Sequence, residues 1–293
     1  MKKHKHLWLA TALLLALFTS CEKANIGNDS IDEETSNNNV FIRIAGFEQI
    51  PFDNYRIATK AQQDITKLCS RINFSLFNGD TKVSAINQKE GDNDFGTVSL
   101  HLDAGTYKLV VIAHNGTGAA TISSPQKITF PNNKLSDTFY YCSDITVDAK
   151  GNTFDLQLKR AVAMFRLVTN EALPSEVKKI KFYYTGGSST FDATTGYGCV
   201  NSKQTEILNV SNGQKQFEVY TFPHDESDEL KITITALDAN ETALHERIFE
   251  NVPVQRNMIT QYTGSFYEST ENFANSFKMT ADGDWTKTNS YEY

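Results

Sequence analysis

Residues 103–113, Asp103-Ala104-Gly105-Thr106-Tyr107-Lys108-Leu109-Val110-Val111-Ile112-Ala113, decide the class of fold. A turn tripeptide leads straight into a run of β-branched and aromatic residues, the composition of a strand rather than a helix. Upstream, Val98, Leu100 and Leu102 alternate with polar residues, and so do Ile72, Phe74 and Leu76 with Arg71, Asn73 and Ser75. Val40-Phe41-Ile42-Arg43-Ile44 opens the first such segment. Period-two alternation broken by Gly, Asn and Asp describes half-buried antiparallel strands joined by short connections. Helical periodicity is confined to Asn54–Leu68, which has room for a turn or two. The expected class is all-β.

Similar fragments recur along the chain. Leu68–Phe74 resembles Leu158–Phe165; Tyr107–Ala113 matches Leu230–Ala236; Lys127–Phe130 matches Arg247–Phe249; and Thr138–Tyr140 matches Thr260–Tyr262. The last three pairs are separated by 120 to 123 residues, the first by about 90. This points to a duplicated β-sandwich with its joint near Asp148-Ala149-Lys150-Gly151-Asn152. The expected division is residues 39–149 and 150–268, followed by an extension, 269–293, that supplies extra strands or a subunit contact. Its apolar residues are Phe273, Phe277, Met279, Trp285, Tyr291 and Tyr293.

The first 20 residues read as an export signal. Lys2, Lys3 and Lys5 precede an unbroken apolar run, Leu7–Phe18. As a helix, that run spans about 18 Å, short of a hydrocarbon core of about 30 Å. It ends in Phe18-Thr19-Ser20-Cys21, which resembles a bacterial lipobox with cleavage between Ser20 and Cys21 and lipidation of Cys21. Several acyl chains on one cysteine give durable anchoring where a single chain is marginal. Residues 21–38, rich in Asn, Ser, Asp and Glu, form the expected acidic tether.

The whole chain has 293 residues and a net charge of −7, and loss of the leader's three lysines makes it more acidic still. Nucleic acid is thereby excluded as a partner, since phosphate recognition needs clustered cations. Among His101, His114, His224 and His245 there is no zinc-ligand spacing, and no nucleophile elbow or phosphate-cradling loop occurs. The acidic runs at Asp92–Asp94 and Asp225–Glu229 lack the alternation of a calcium loop and read as solvated turns. No catalytic residue, metal or cofactor is expected. Cys69, Cys142 and Cys199 are an odd set; Cys69 and Cys142 are placed to bridge or to remain buried thiols.

The order of these segments resembles the fimbrillin-type fimbrial subunits of Bacteroidales, and most of all their lipidated anchor subunits. The likeness is carried by Cys21 and its tether, Val40–Phe47, Leu68–Ile72, Phe95-Gly96-Thr97, Leu158–Phe165 with Pro174 and Ile180–Tyr184, Asn251–Asn257 before Thr260 and Tyr262, and Phe277–Trp285. The resemblance implies two tandem transthyretin-like, Greek-key sandwiches and a non-catalytic role in cell adhesion at the outer-membrane surface. It also implies other fimbrial subunits as partners through β-strand exchange, with host proteins or glycans as further ligands. In stalk members an Arg-directed protease removes the first strand, and Arg56 is the nearest candidate after the opening strand here, without that family's cleavage context. The competing expectation is a surface glycan-binding lipoprotein, with Tyr183, Tyr184 and Tyr197 stacking on sugar.

Overall fold

The computed structural model describes residues 38–47, 65–267, 276–281 and 289–291. The expectations at Ser20, Cys21, Arg56 and Trp285 lie outside them. The chain is all-β, with short 3-10 turns at Ile65–Lys67 and Pro131–Asn133.

Among the described residues, nine strands come from the first half: β1 (Val40–Phe47), β2 (Arg71–Asn78), β3 (Thr81–Lys89), β4 (Thr97–Leu100), β5 (Gly105–His114), β6 (Thr121–Ser124), β7 (Lys127–Thr129), β8 (Thr138–Val147) and β9 (Asn152–Arg160). Seven of them form one sheet in the order β3-β2-β5-β8-β9-β1-β4, which folds over where only Phe139 and Tyr140 of β8 pair with β9. Ile42, Ile72, Phe74, Leu109, Val111, Leu156 and Leu158 fill the space between its layers.

The second half contributes β10 (Ala163–Thr169), β11 (Lys179–Thr185), β12 (Thr190–Asp192), β13 (Tyr197–Gly198), β14 (Gln204–Asn209), β15 (Gln216–Thr221), β16 (Asp228–Leu237), β17 (Ala243–Val254) and β18 (Met258–Gly264). Two strands of the terminal segment, β19 (Ser276–Ala281) and β20 (Asn289–Tyr291), extend the sheet beyond β18. The sheets β15-β10-β18 and β14-β11-β16-β17 enclose a core containing Phe165, Phe182, Tyr184, Phe217, Ile232 and Ile234.

The duplication is real, but its correspondence differs from the one expected. β1 lies between an antiparallel β4 and a parallel β9, as β10 lies between β15 and β18. β3-β2-β5-β8 likewise maps onto β14-β11-β16-β17. Of the matched fragments, only Tyr107–Ala113 with Leu230–Ala236 falls on equivalent strands, β5 and β16. The other pairs set β2 against the β9–β10 junction, β7 against β17, and β8 against β18. The first half inserts β6–β7 after β5 and the second inserts β12–β13 after β11, so a constant offset misaligns everything beyond one insertion.

The turn at 148–152 joins β8 to β9 rather than one half to the other, because β9 pairs along β1 over Asn152–Leu158. The chain passes to the second sandwich at Ala161–Val162, both fully buried. Gly151 makes this arrangement possible: its φ is +87°, and a Cβ there would lie 2.4 Å from the Asn39 carbonyl that accepts the Asn152 N–H.

A third core fuses the halves. β6 and β7 pair with β12 and β13 in a sheet of their own, and Val110, Ile112, Phe130, Tyr140, Met164, Phe191 and Phe222 pack beneath it. β5 is therefore buried on both faces, with Leu109 and Val111 in one core and Val110 and Ile112 in the other. That accounts for its unbroken apolar run, where half-burial was expected. The polar face of β2 is covered as well: buried Asn73 accepts the Ala120 N–H and donates to Asn87.

Candidate assembly surfaces

Polar side chains at the centre of the molecule are engaged in holding the halves together. Arg160, at the end of β9, is wholly buried and makes two bonds to the Asp137 carboxylate, 2.7 and 2.9 Å, while donating to Asn257 Oδ1 at 2.8 Å. Its guanidinium also lies over the Phe139 ring. Arg256 reaches back to the Tyr140 hydroxyl at 2.9 Å and covers the Tyr197 ring. Lys134 of the first half pairs with Glu206 on β14 at 2.7 Å; partial burial of Glu206 nevertheless raises its pKa.

The titratable groups are spread through the fold. The two acidic runs act as turns: Asp92 accepts the Lys89 N–H, and Asp228 accepts both the backbone N–H of His224 and a contact from its ring. Among the described residues, no three His, Cys, Asp or Glu side chains converge as a metal site, and no helix is long and apolar enough to cross a membrane. Cys69, Cys142 and Cys199 are all free thiols. Burial pushes the Cys69 thiol up to about 12, so it is inert at neutral pH.

The three tyrosines meet different fates. Tyr184 is in the core, with its hydroxyl donating to the Tyr220 carbonyl, and burial holds its pKa above the ordinary value. Tyr197 is half-buried under Arg256. Only Tyr183 is open, at 38% exposure. Alternation along a strand explains the difference, since neighbours point to opposite faces.

Tyr183 belongs to a feature that sequence reading missed. On the outer face of β14-β11-β16-β17, the cross-strand row runs Thr205, Tyr183, Thr233, Ile248. Ile248 is 54% exposed, and Ile207, two residues along β14 from Thr205, is 43% exposed. Ile207 on β14 with Leu244 and Ile248 on β17 were the available signal; without the register they are scattered single residues. Edge strands lie alongside: β3 and β4 bound the first sandwich, and β14 and β17 bound this sheet. Each leaves backbone groups available to another strand. β3 carries Lys82 and Lys89, the charges that restrain unselective pairing, and Lys82 bonds the Ile122 carbonyl.

Two β-sandwiches fused through a third core, with strand edges left open, define the class of the fold. The chain is a member of the family of fimbrillin-A associated anchor proteins Mfa1 and Mfa2, which it matches over residues 49–290. The fold is shared with a candidate adhesin of Bacteroides thetaiotaomicron at 10% identity and a TM-score of 0.52, covering 83% of this chain and 95% of that one. Two further structures align at lower scores. The fimbrial anchor protein Mfa2 of Porphyromonas gingivalis aligns at 9% identity and TM-score 0.42, covering 86% of this chain and 97% of that one. A fimbrial assembly protein of Parabacteroides distasonis aligns at 12% identity and TM-score 0.41, covering 82% and 92%. No curated protein sequence matches the chain.

Proposed function

We propose that this chain is the membrane-anchored subunit of a fimbrium, held in the outer membrane by acyl chains on Cys21 and joined to other fimbrial subunits by strand exchange. The reading is carried by one observation: a lipobox-like Cys21, placed after an apolar leader, in a member of a fimbrial anchor family. The edge strands support it, since added strands gain backbone hydrogen bonds for affinity and alternate side-chain pockets for register. In this role the N-terminal segment, including Arg56, is retained uncut, because cleavage there would sever the folded part from its lipid.

The test is Cys21→Ala expressed in the native bacterium. The variant is expected to leave the membrane fraction, to lose incorporation of labelled palmitate, and to shed fimbriae into the medium. Unchanged membrane fractionation would refute lipid anchoring. Release of the protein with fimbriae still attached to cells would refute the anchor role and leave a stalk or adhesin role.

A further inference from the structure

When this chain is pulled between its two ends, the strands where tension enters and leaves decide how the fold resists. Tension from the N terminus enters β1 at Val40, whose partner on β9 is Asn152. It leaves the first sandwich at the other end of β9, at Arg160. Because β1 and β9 run parallel, the two pulls act at opposite ends of adjacent strands. The pairs from Val40↔Asn152 to Phe47↔Leu158 must then slide together instead of separating in succession. The second sandwich repeats this: tension enters β10 at Ala163 and leaves β18 at Gly264, across parallel pairs from Met164↔Ile259 to Thr169↔Gly264.

Side chains reinforce both strand pairs. Arg43 spans β1 and β9 with bonds of 3.0 and 2.8 Å to Asp155. The Asn39 side chain pairs with the Leu102 backbone in both directions and ties the entry point to the neighbouring chain. At the exit of β18, Glu171 accepts the Phe266 and Tyr267 N–H groups, while Arg247 donates to the Ser265 and Phe266 carbonyls. Between the two pairs, only Ala161 and Val162 separate β9 from β10, and the N–H of Ala161 and the carbonyl of Val162 bond Thr138 and Asn257. The connection has no slack.

We propose that the fold is a tension-bearing device: two parallel strand pairs in series, each loaded in shear by a pull between the chain's ends. Its use at a cell surface rests on the anchor reading together with a load passed to the C-terminal segment; its mechanics rest on neither. β19 and β20 are antiparallel additions outside this path and peel off first when the C terminus is pulled.

Single-molecule force spectroscopy on the purified mature chain tests this. One arm pulls between the two termini; the other pulls between handles at Glu226 and Gln255, which open β16–β17 from its Asp228↔Val254 end. The terminal geometry is expected to show weak early events and then a main rupture at no less than about twice the force of the handle geometry, since many bonds are loaded together. Equal or lower main rupture force through the termini overturns the proposal. No membrane or partner is involved, so a failed strand clamp and a failed anchor reading are separate results.

Discussion

His114 makes stability depend on pH over a range that few other groups reach. Its side chain is fully buried at the end of β5, packed edge-on against the Phe130 ring. Nδ1 accepts the Gly116 N–H at 3.0 Å, so the ring is neutral with its proton on Nε2, which has no acceptor. Gly116 is needed for this contact, since a Cβ there would lie 2.7 Å from Nδ1. Protonating Nδ1 destroys the bond and buries a charge. Burial, with a smaller contribution from the Arg71 guanidinium, lowers the pKa to about 4. In the unfolded chain the value is about 6.5. The unfolded state therefore binds the extra proton first, and stability is present above pH 6.5 and lost as pH falls toward 4. From these two values, His114 alone removes about 2 kcal/mol between pH 7 and pH 5. At an m-value of about 3 kcal/mol/M, that moves the urea midpoint by roughly 0.7 M. His114→Asn keeps an acceptor for Gly116 without a titrating ring. Urea unfolding of both proteins at pH 7 and pH 5 isolates the effect from the carboxylates, which titrate in both. The midpoint of the variant is expected to fall by roughly 0.7 M less than that of the parent. Equal falls would show that the ring is solvated or already charged in the folded state.

Arg160→Met leaves the partly buried Asp137 without its bidentate partner and removes the bond to Asn257, so unfolding free energy is expected to drop by about 3 kcal/mol, measured by chemical denaturation. A drop below about 1 kcal/mol would mean the pair does not brace the halves. The three thiols are expected to react with a maleimide in the order of their exposure: Cys199 promptly, Cys142 slowly, and Cys69 only on unfolding. Mass spectrometry of the native protein reads this directly, and early labelling of Cys69 would contradict its burial.

Much of this protein follows from local pattern. Period-two alternation gives the strands, including the opening strand at Val40, because a chain with one face buried must repeat every second residue. The unbroken run at Leu109–Ala113 holds more information than half-burial: such a strand has both faces covered, and the cover is the third core. The outward face of the second sandwich was equally hidden, because Tyr183, Ile207 and Ile248 come together only through cross-strand register. Strand equivalence misled for a related reason. One amphipathic strand looks like another, so β8 could be matched to β18 by sequence although its counterpart is β17.

The all-β class and the strand-rich halves were legible in the chain alone, since alternation and turn residues act over a few neighbours; the duplication was not, because only one of the matched fragment pairs lies on equivalent strands. Three features emerged only from the folded molecule: which strands pair, the return of β9 to β1 across Gly151, and the additional sheet that welds the halves. Those choices depend on contacts between residues about 100 apart, whose cost is loop closure and whose gain is burial. No local pattern encodes that balance.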